Sequence, residues 1–428
     1  MDKLQVEGGR PLSGSVSVSG AKNAALPLMA ASILASGPLT LTNIPRLGDL
    51  RTMGRLLRHM GGSADLYPDD GAGGHREEAV LSMSGIDRPE APHDLVKTMR
   101  ASALVLGPLL ARHGRARVSL PGGCAIGVRP IDLHLKALSN MGAEFDLSGG
   151  DIVARAPKGG LVGAEIRFES VTVTGTENVM MAAALAKGRT VIQNAAREPE
   201  VTDTARALLA MGAKITGVES DELVVDGVDA LSEATHRVMP DRIEAATLVA
   251  AVALTGGSAV VRGARLNDMA MVLGKFTEAG VLLRAHNGDL HVESDPDLIA
   301  AVNITTSPYP GFPTDMQAQF LALMTRARGA SIVTETIFEN RFMHVAELRR
   351  LGADITLEGR TAVVKGTERL SGAPMTASDL RASASLLLAA LAAEGTSDIY
   401  RVYHLDRGYD RLDQKLNSLG ARITRMPA

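Results

Sequence analysis

Apolar positions along this chain fall into two kinds of run. Residues 24–35, 179–186, 245–254 and 382–393 are alanine-rich and apolar on nearly every side, which predicts helices enclosed inside a domain. Residues 202–211 and 344–351 instead repeat their apolar positions on one face, which predicts helices covering a core from outside. Short alternating stretches such as 39–42 and 190–193 stand between the two and read as strands. A glycine phrase closes each outer helix: Met60-Gly61-Gly62, Met141-Gly142-Ala143, Met211-Gly212-Ala213, Ala279-Gly280-Val281, Leu351-Gly352-Ala353 and Leu419-Gly420-Ala421. The phrases recur about every 70 residues, longer than solenoid periods, and divide the chain into six units. Each glycine falls where a helix needs a left-handed C-terminal residue. A strand-like alternation follows it, as in Ala353-Asp354-Ile355-Thr356-Leu357. Six copies of helix, strand, helix, strand predict an α/β (α+β) chain of two domains, three units each, with buried helices surrounded by sheets. The third and fourth units meet near Arg237, and residues 69–78, rich in glycine and charge, read as a surface excursion.

Composition narrows the function classes. A chain of 428 residues is too long for one ordinary core. Its 45 basic and 48 acidic residues give a net charge of −3, so no global field favours nucleic acid or an anionic membrane. Aromatic content of 3% without tryptophan removes the stacking platforms of single-strand binders. One cysteine excludes an internal disulfide framework and fits a reducing compartment. The first ten residues are polar and lack the apolar core of a signal peptide. The longest apolar run, 245–254 apart from Thr247, is far short of the roughly 18 residues of a membrane span. The expectation is a soluble, cytoplasmic protein.

Candidate chemistry centres on Leu120-Pro121-Gly122-Gly123-Cys124-Ala125-Ile126-Gly127-Val128-Arg129-Pro130. Three glycines let this backbone reach positive φ and bring N–H groups close to a ligand. A thiol beside Arg129 is expected to be partly thiolate, hence reactive; the other reading is an inert packed cysteine. Gly20-Ala21-Lys22-Asn23 places a cation just ahead of a buried helix, where unpaired N–H groups favour an anion. It lacks the Gly-Lys-Ser/Thr order of a nucleotide-hydrolase loop. A solvated loop lysine is the other reading of Lys22. Arg100, Arg129, Arg381 and Arg407 recur at unit junctions and suit phosphate or carboxylate, surface ion pairing being the alternative for each. Pro313-Thr314-Asp315-Met316-Gln317 has a capping-box pattern, with Thr314 as cap and Gln317 reaching back. Asp315 would then stay ionised in the first helical turn, as a general base must, or be an ordinary first-turn aspartate. The ten histidines show no pair at metal-binding helical spacing, so no metal is expected.

Over nearly all of its length the chain resembles the enolpyruvyl transferases. The resemblance rests on Gly20-Ala21-Lys22-Asn23-Ala24, the Cys124 stretch, Asn194-Ala195-Ala196-Arg197-Glu198-Pro199-Glu200, residues 312–320, Glu339-Asn340-Arg341-Phe342-Met343-His344, Asp379-Leu380-Arg381-Ala382 and His404-Leu405-Asp406-Arg407-Gly408-Tyr409. It implies a two-domain inside-out α/β barrel of six βαβαββ-type repeats, with the first domain at 22–237 and the second at 1–21 plus 238–428. The active site would lie in the cleft between them. It implies attack by the 3-hydroxyl of UDP-N-acetylglucosamine on phosphoenolpyruvate, then loss of phosphate, as the first committed step of peptidoglycan synthesis. No cofactor is implied, and no nucleic acid or membrane partner.

The same resemblance assigns roles. Lys22, Asn23, Arg129, Arg381 and Arg407 would bind phosphoenolpyruvate, with Lys22 and Arg407 also counted as catalytic. Cys124 would protonate C3, form a covalent adduct with phosphoenolpyruvate and be the target of fosfomycin; Asp315 would handle the sugar hydroxyl proton. The UDP-sugar would meet Asn23, Arg100, Arg129, Pro130, Ile131, Asp132 and Leu133, then Val173, Asp315 and Ile337. Where many members read Ser-Val-Gly-Ala-Thr-Glu-Asn, this chain has Thr172-Val173-Thr174-Gly175-Thr176-Glu177-Asn178, with Thr174 in place of a glycine that approaches the nucleotide. Two other readings are a 3-phosphoshikimate 1-carboxyvinyltransferase and a non-catalytic UDP-sugar-binding regulatory paralogue.

Overall fold

In a computed structural model of the chain, residues 2–69, 75–97, 99–120 and 131–427 are described, with only the backbone for Arg100. Among the described residues the strands form six separate four-stranded sheets, and none of them closes into a barrel. The sheet of Glu165–Arg167, Arg189–Gln193, Lys214–Thr216 and Glu222–Asp226 shows the common plan. Its first two strands run parallel, joined across the buried helix Val173–Ala183, while the others add antiparallel in the order first, second, fourth, third. A parallel pair needs such a crossover, and a helix supplies it.

Three sheets draw strands from far along the chain. Ala234–Arg237 lies parallel to Leu39–Thr42 and so supplies the first strand to the first repeat. Leu12–Ser17 does the same for Gly257–Arg262, and Asp2–Glu7 fits between Thr396–Tyr400 and Arg422–Pro427. Contacts group the described residues into two compact units, one joining 2–19 to 240–427 and the other holding those within 20–120 and 131–239. Ser19 is tied down by Glu244, whose carboxylate accepts from the Ser19 amide at 3.0 Å and from Lys415.

Each unit is built round helices that have no solvent face. Ile243 through Leu254 of the helix Arg242–Thr255 are all buried, against Gln317–Met324 and Leu380–Ala392. Alanines recurring along these helices let their backbones approach closely while the sheets cover them. The six glycines that end the outer helices all have φ between +91° and +102°, as their places in the repeat required. A second mark of the repeat was not legible in the sequence. The residue just after the second strand is left-handed at Asn43, Asn194, Gly263 and Arg401. Asn43 and Asn194 each donate from Nδ2, at 2.9 Å, to the carbonyl that follows the first strand, Val238 and Phe168. No helix among the described residues is long and apolar enough to cross a membrane.

Candidate active site

In the unit that contains it, Asp315 lies in a single 3-10 turn, Thr314–Met316, that runs into the buried helix Gln317–Met324. The expected capping box does not form. Thr314 donates its hydroxyl to Glu335 at 2.8 Å, Pro313 occupies the cap position, and the Gln317 side-chain amide finds no partner among the described residues. The reason is position: Thr314 lies inside the turn, one residue past the cap, with its hydroxyl held toward Glu335.

Asp315 is instead held by two arginines. Its Oδ1 accepts from Arg341 Nη2 and its Oδ2 from Arg381 Nη2, both at 2.9 Å. Burial alone would raise its carboxyl, but Arg381 and Arg341 more than offset that and hold it well below the usual carboxylate range. Both arginine side chains are at most 4% exposed. Arg381 stands in the first turn of Leu380–Ala392, where the Asp379 carboxylate caps its backbone N–H, and its guanidinium lies 5.1 Å over the Tyr409 ring. Its Nε and Nη1 have no hydrogen-bond acceptor among the described residues. Buried donors on a charged group are costly to leave unpaired, and an arginine in this state is prepared for an anion.

Glu335, fully buried, organises the turn beside this pair. Its Oε1 accepts from Thr306 Oγ1 at 2.9 Å and from the amides of Ile337 and Phe338 at 2.7 and 3.1 Å, while Oε2 takes Thr314. Four donors on one carboxylate thus fix the turn that carries Ile337 relative to the turn that carries Asp315. Neither Glu335 nor Arg341 was assigned a role from sequence. Arg341 was inside a quoted motif, and the available signal was a cation among apolar residues; Glu335 ends a strand alternation, where an acidic residue ordinarily faces water.

His344 is also buried here, against Phe342, with Nε2 unpartnered among the described residues. Burial lowers its imidazole to about 4, Asp379 working against this and Arg341 with it. A folded pKa below the ordinary 6.5 means that the native state binds fewer protons. This contribution to stability is therefore full above pH 6.5 and lost as pH falls toward 4. Buried Glu244, pushed up to about 7, acts oppositely, losing its contribution as pH rises from 4.5 through 7. The test is therefore a difference: between pH 6.5 and 4 the melting midpoint of His344→Gln should fall less steeply than that of the wild type. Parallel curves would show that His344 does not carry the acid sensitivity.

Arg407 follows the short helix Tyr403–Asp406, half-buried, near His404, whose imidazole burial lowers, with Asp379 opposing and Arg407 and Arg401 adding. In the other unit Lys22 opens the helix Lys22–Ala31. It is 9% exposed, not a solvated loop lysine, and Nζ stands 3.6 Å from the buried Asp49. Gly20 just ahead of it is obligatory, since a Cβ there would come within 1.7 Å of the Asn43 carbonyl oxygen. Asn23 is exposed. Ile131 caps the helix Asp132–Asn140, so Ile131, Asp132 and Leu133 share its first turn, and Val173 opens Val173–Ala183. Cys124, Arg129 and Pro130 lie outside the described residues, as does the Arg100 side chain. Among the described residues no group of three or more His, Cys, Asp or Glu is arranged to hold a metal.

Comparison with known proteins follows this geometry. A family profile described as EPSP synthase (3-phosphoshikimate 1-carboxyvinyltransferase) matches residues 6–416. UDP-N-acetylglucosamine 1-carboxyvinyltransferases from Anaeromyxobacter sp. (strain Fw109-5) and Myxococcus xanthus (strain DK1622) are 55% and 54% identical, each over the whole of both chains. Among solved structures, the enolpyruvyl transferase NikO from Streptomyces tendae superimposes with a TM-score of 0.89 at 26% identity, covering 100% of this chain and 99% of that one. EPSP synthase from Acinetobacter baumannii gives 0.76 at 18% identity over the whole of both chains, a likeness of fold alone. Full-length identity of this order, with a family profile matching nearly the whole chain, shows that the chain belongs to the enolpyruvyl transferase family and groups in sequence with its UDP-N-acetylglucosamine 1-carboxyvinyltransferases.

Proposed function

We propose that this protein transfers the enolpyruvyl group of phosphoenolpyruvate to the 3-hydroxyl of UDP-N-acetylglucosamine, releasing phosphate. The observation that carries this reading is Asp315, held ionised between Arg341 and Arg381, with Nε and Nη1 of buried Arg381 unpaired among the described residues. The full-length relatives bearing that activity's name support the choice of acceptor over shikimate 3-phosphate.

In the addition step the sugar oxygen bonds to C2 of phosphoenolpyruvate as Asp315 takes the hydroxyl proton and an acid delivers a proton to C3. In the elimination step C3 gives up its proton to a base, a role the resemblance also gives Asp315 once the first proton has been passed on, and the C2–O bond breaks with phosphate as the leaving group, leaving the enol ether. Arg381, Lys22 and Arg407 offset the charge of the phosphate and carboxylate, which is worth most where water is excluded. Cys124 as the acid, and Arg129, Pro130 and Arg100 as binding residues, enter on family resemblance. One unit contributes Lys22, Asn23, Ile131, Asp132, Leu133 and Val173 to this reading, the other Asp315, Ile337, Arg381 and Arg407.

Phosphate release from phosphoenolpyruvate tests it. Release is expected with UDP-N-acetylglucosamine and not with shikimate 3-phosphate. Release with the second acceptor alone would reverse the choice. Binding of the UDP-sugar with release from neither would favour a regulatory paralogue.

A further inference from the structure

His134 is 4% exposed and lies in the first turn of Asp132–Asn140, directly after Asp132 and Leu133. Its two ring nitrogens both face the helix Val173–Ala183: Nε2 is 3.2 Å from Thr174 Oγ1 and Nδ1 is 3.0 Å from Asn178 Nδ2. Thr174 and Asn178 are four residues apart, hence on one helix face, and grip the imidazole between them.

The direction of every bond in this chain follows from its inner end. Asn178 Oδ1 lies 2.6 Å from the Gly107 amide, which can only donate, so that atom is the amide oxygen. The other arm is then the NH2 group, which donates to the Ala103 carbonyl at 2.9 Å and to His134 Nδ1. With Nδ1 accepting, the neutral ring carries its hydrogen on Nε2 and donates it to Thr174. The backbone at Ala103 and Gly107 is thereby tied through Asn178 and His134 to an exposed hydroxyl. A glycine at 174, the residue that the family resemblance leads one to expect, has no oxygen to close the chain.

We propose that Thr174 is a positioning residue for the nucleotide half of the acceptor: through His134 it fixes the first helical turn that carries Ile131, Asp132 and Leu133. This rests on the reading of function above, which assigns the UDP-sugar to that turn. Phosphoenolpyruvate and the chemical step do not depend on the clamp.

Thr174→Val keeps the shape and removes the acceptor; Thr174→Ser keeps the acceptor. With a neutral hydrogen bond at stake, Thr174→Val should raise both KM for UDP-N-acetylglucosamine and the calorimetric Kd for UDP by about three- to tenfold. kcat and KM for phosphoenolpyruvate should stay within about twofold, and Thr174→Ser should match the wild type. A Thr174→Val enzyme with wild-type UDP affinity, or a Thr174→Ser enzyme as impaired as the valine variant, would overturn the proposal. Wild-type protein that binds no UDP and releases no phosphate would instead overturn the functional reading beneath it. Position 174 is exposed, so the valine variant should fold, and an unchanged melting midpoint checks that.

Discussion

Asp315→Asn should lower kcat by about a thousandfold, within the range expected for removing a positioned base. The amide is nearly the same size, but it cannot take the sugar hydroxyl proton. It also offers one acceptor oxygen where the carboxylate served Arg341 and Arg381 with two. Some of the loss will therefore come from a displaced Arg381, and KM for phosphoenolpyruvate separates the two effects. A lost base lowers kcat at unchanged KM, whereas a displaced arginine raises KM. Because the two arginines hold the Asp315 carboxyl well below its ordinary range, its protonation should not limit the wild-type rate anywhere near neutral pH. Rate measurements on the purified variant, with its melting midpoint as a check on folding, decide the matter. More than a tenth of wild-type kcat in Asp315→Asn would remove Asp315 from the role of base.

Much of the fold was legible because its signals are local and repeated. Gly61, Gly142, Gly212, Gly280, Gly352 and Gly420 each punctuate a helix end, and the alanine-rich runs announce helices without a wet face. Long-range pairing was not legible in this way. Asp2–Glu7 carries an ordinary alternation, and nothing in it names Thr396–Tyr400 as its neighbour; the resemblance implied only that residues 1–21 join the second domain. The candidate site divides along the same line. Lys22, Asp315 and Arg381 stand at helix starts, where a charged residue is conspicuous in sequence. Glu335, Arg341, His134 and Asn178 act through partners 21 to 75 positions away in the chain or through turns that exist only after folding. Thr314 shows the converse error. Its local pattern favoured a cap, but Pro313 takes that position and Thr314 sits inside the turn, bonded to a carboxylate 21 residues distant.

Arg381→Gln should lower kcat/KM for phosphoenolpyruvate by about a hundred- to a thousandfold. Wild-type Arg381 presents two unpaired N–H groups from a buried, charged fork, and each charge-assisted hydrogen bond to a substrate anion contributes about 1.5–3 kcal/mol. Glutamine reaches less far and carries no charge. Arg381→Lys, which restores charge without the planar fork, should recover only part of the loss. The same change also removes one of the two cations beside Asp315. The Asp315 carboxyl then moves up toward its ordinary range, and the acid limb of the pH–rate profile shifts to higher pH, with activity lost sooner on acidification. No such shift is open to Asp315→Asn, which has no carboxyl to titrate, so the two variants are distinguishable even where their rates at neutral pH coincide. An Arg381→Gln enzyme with unaltered kinetics in phosphoenolpyruvate and an unmoved acid limb would mean that the two unpaired N–H groups serve no anion, and that Arg341 alone sets the charge of Asp315.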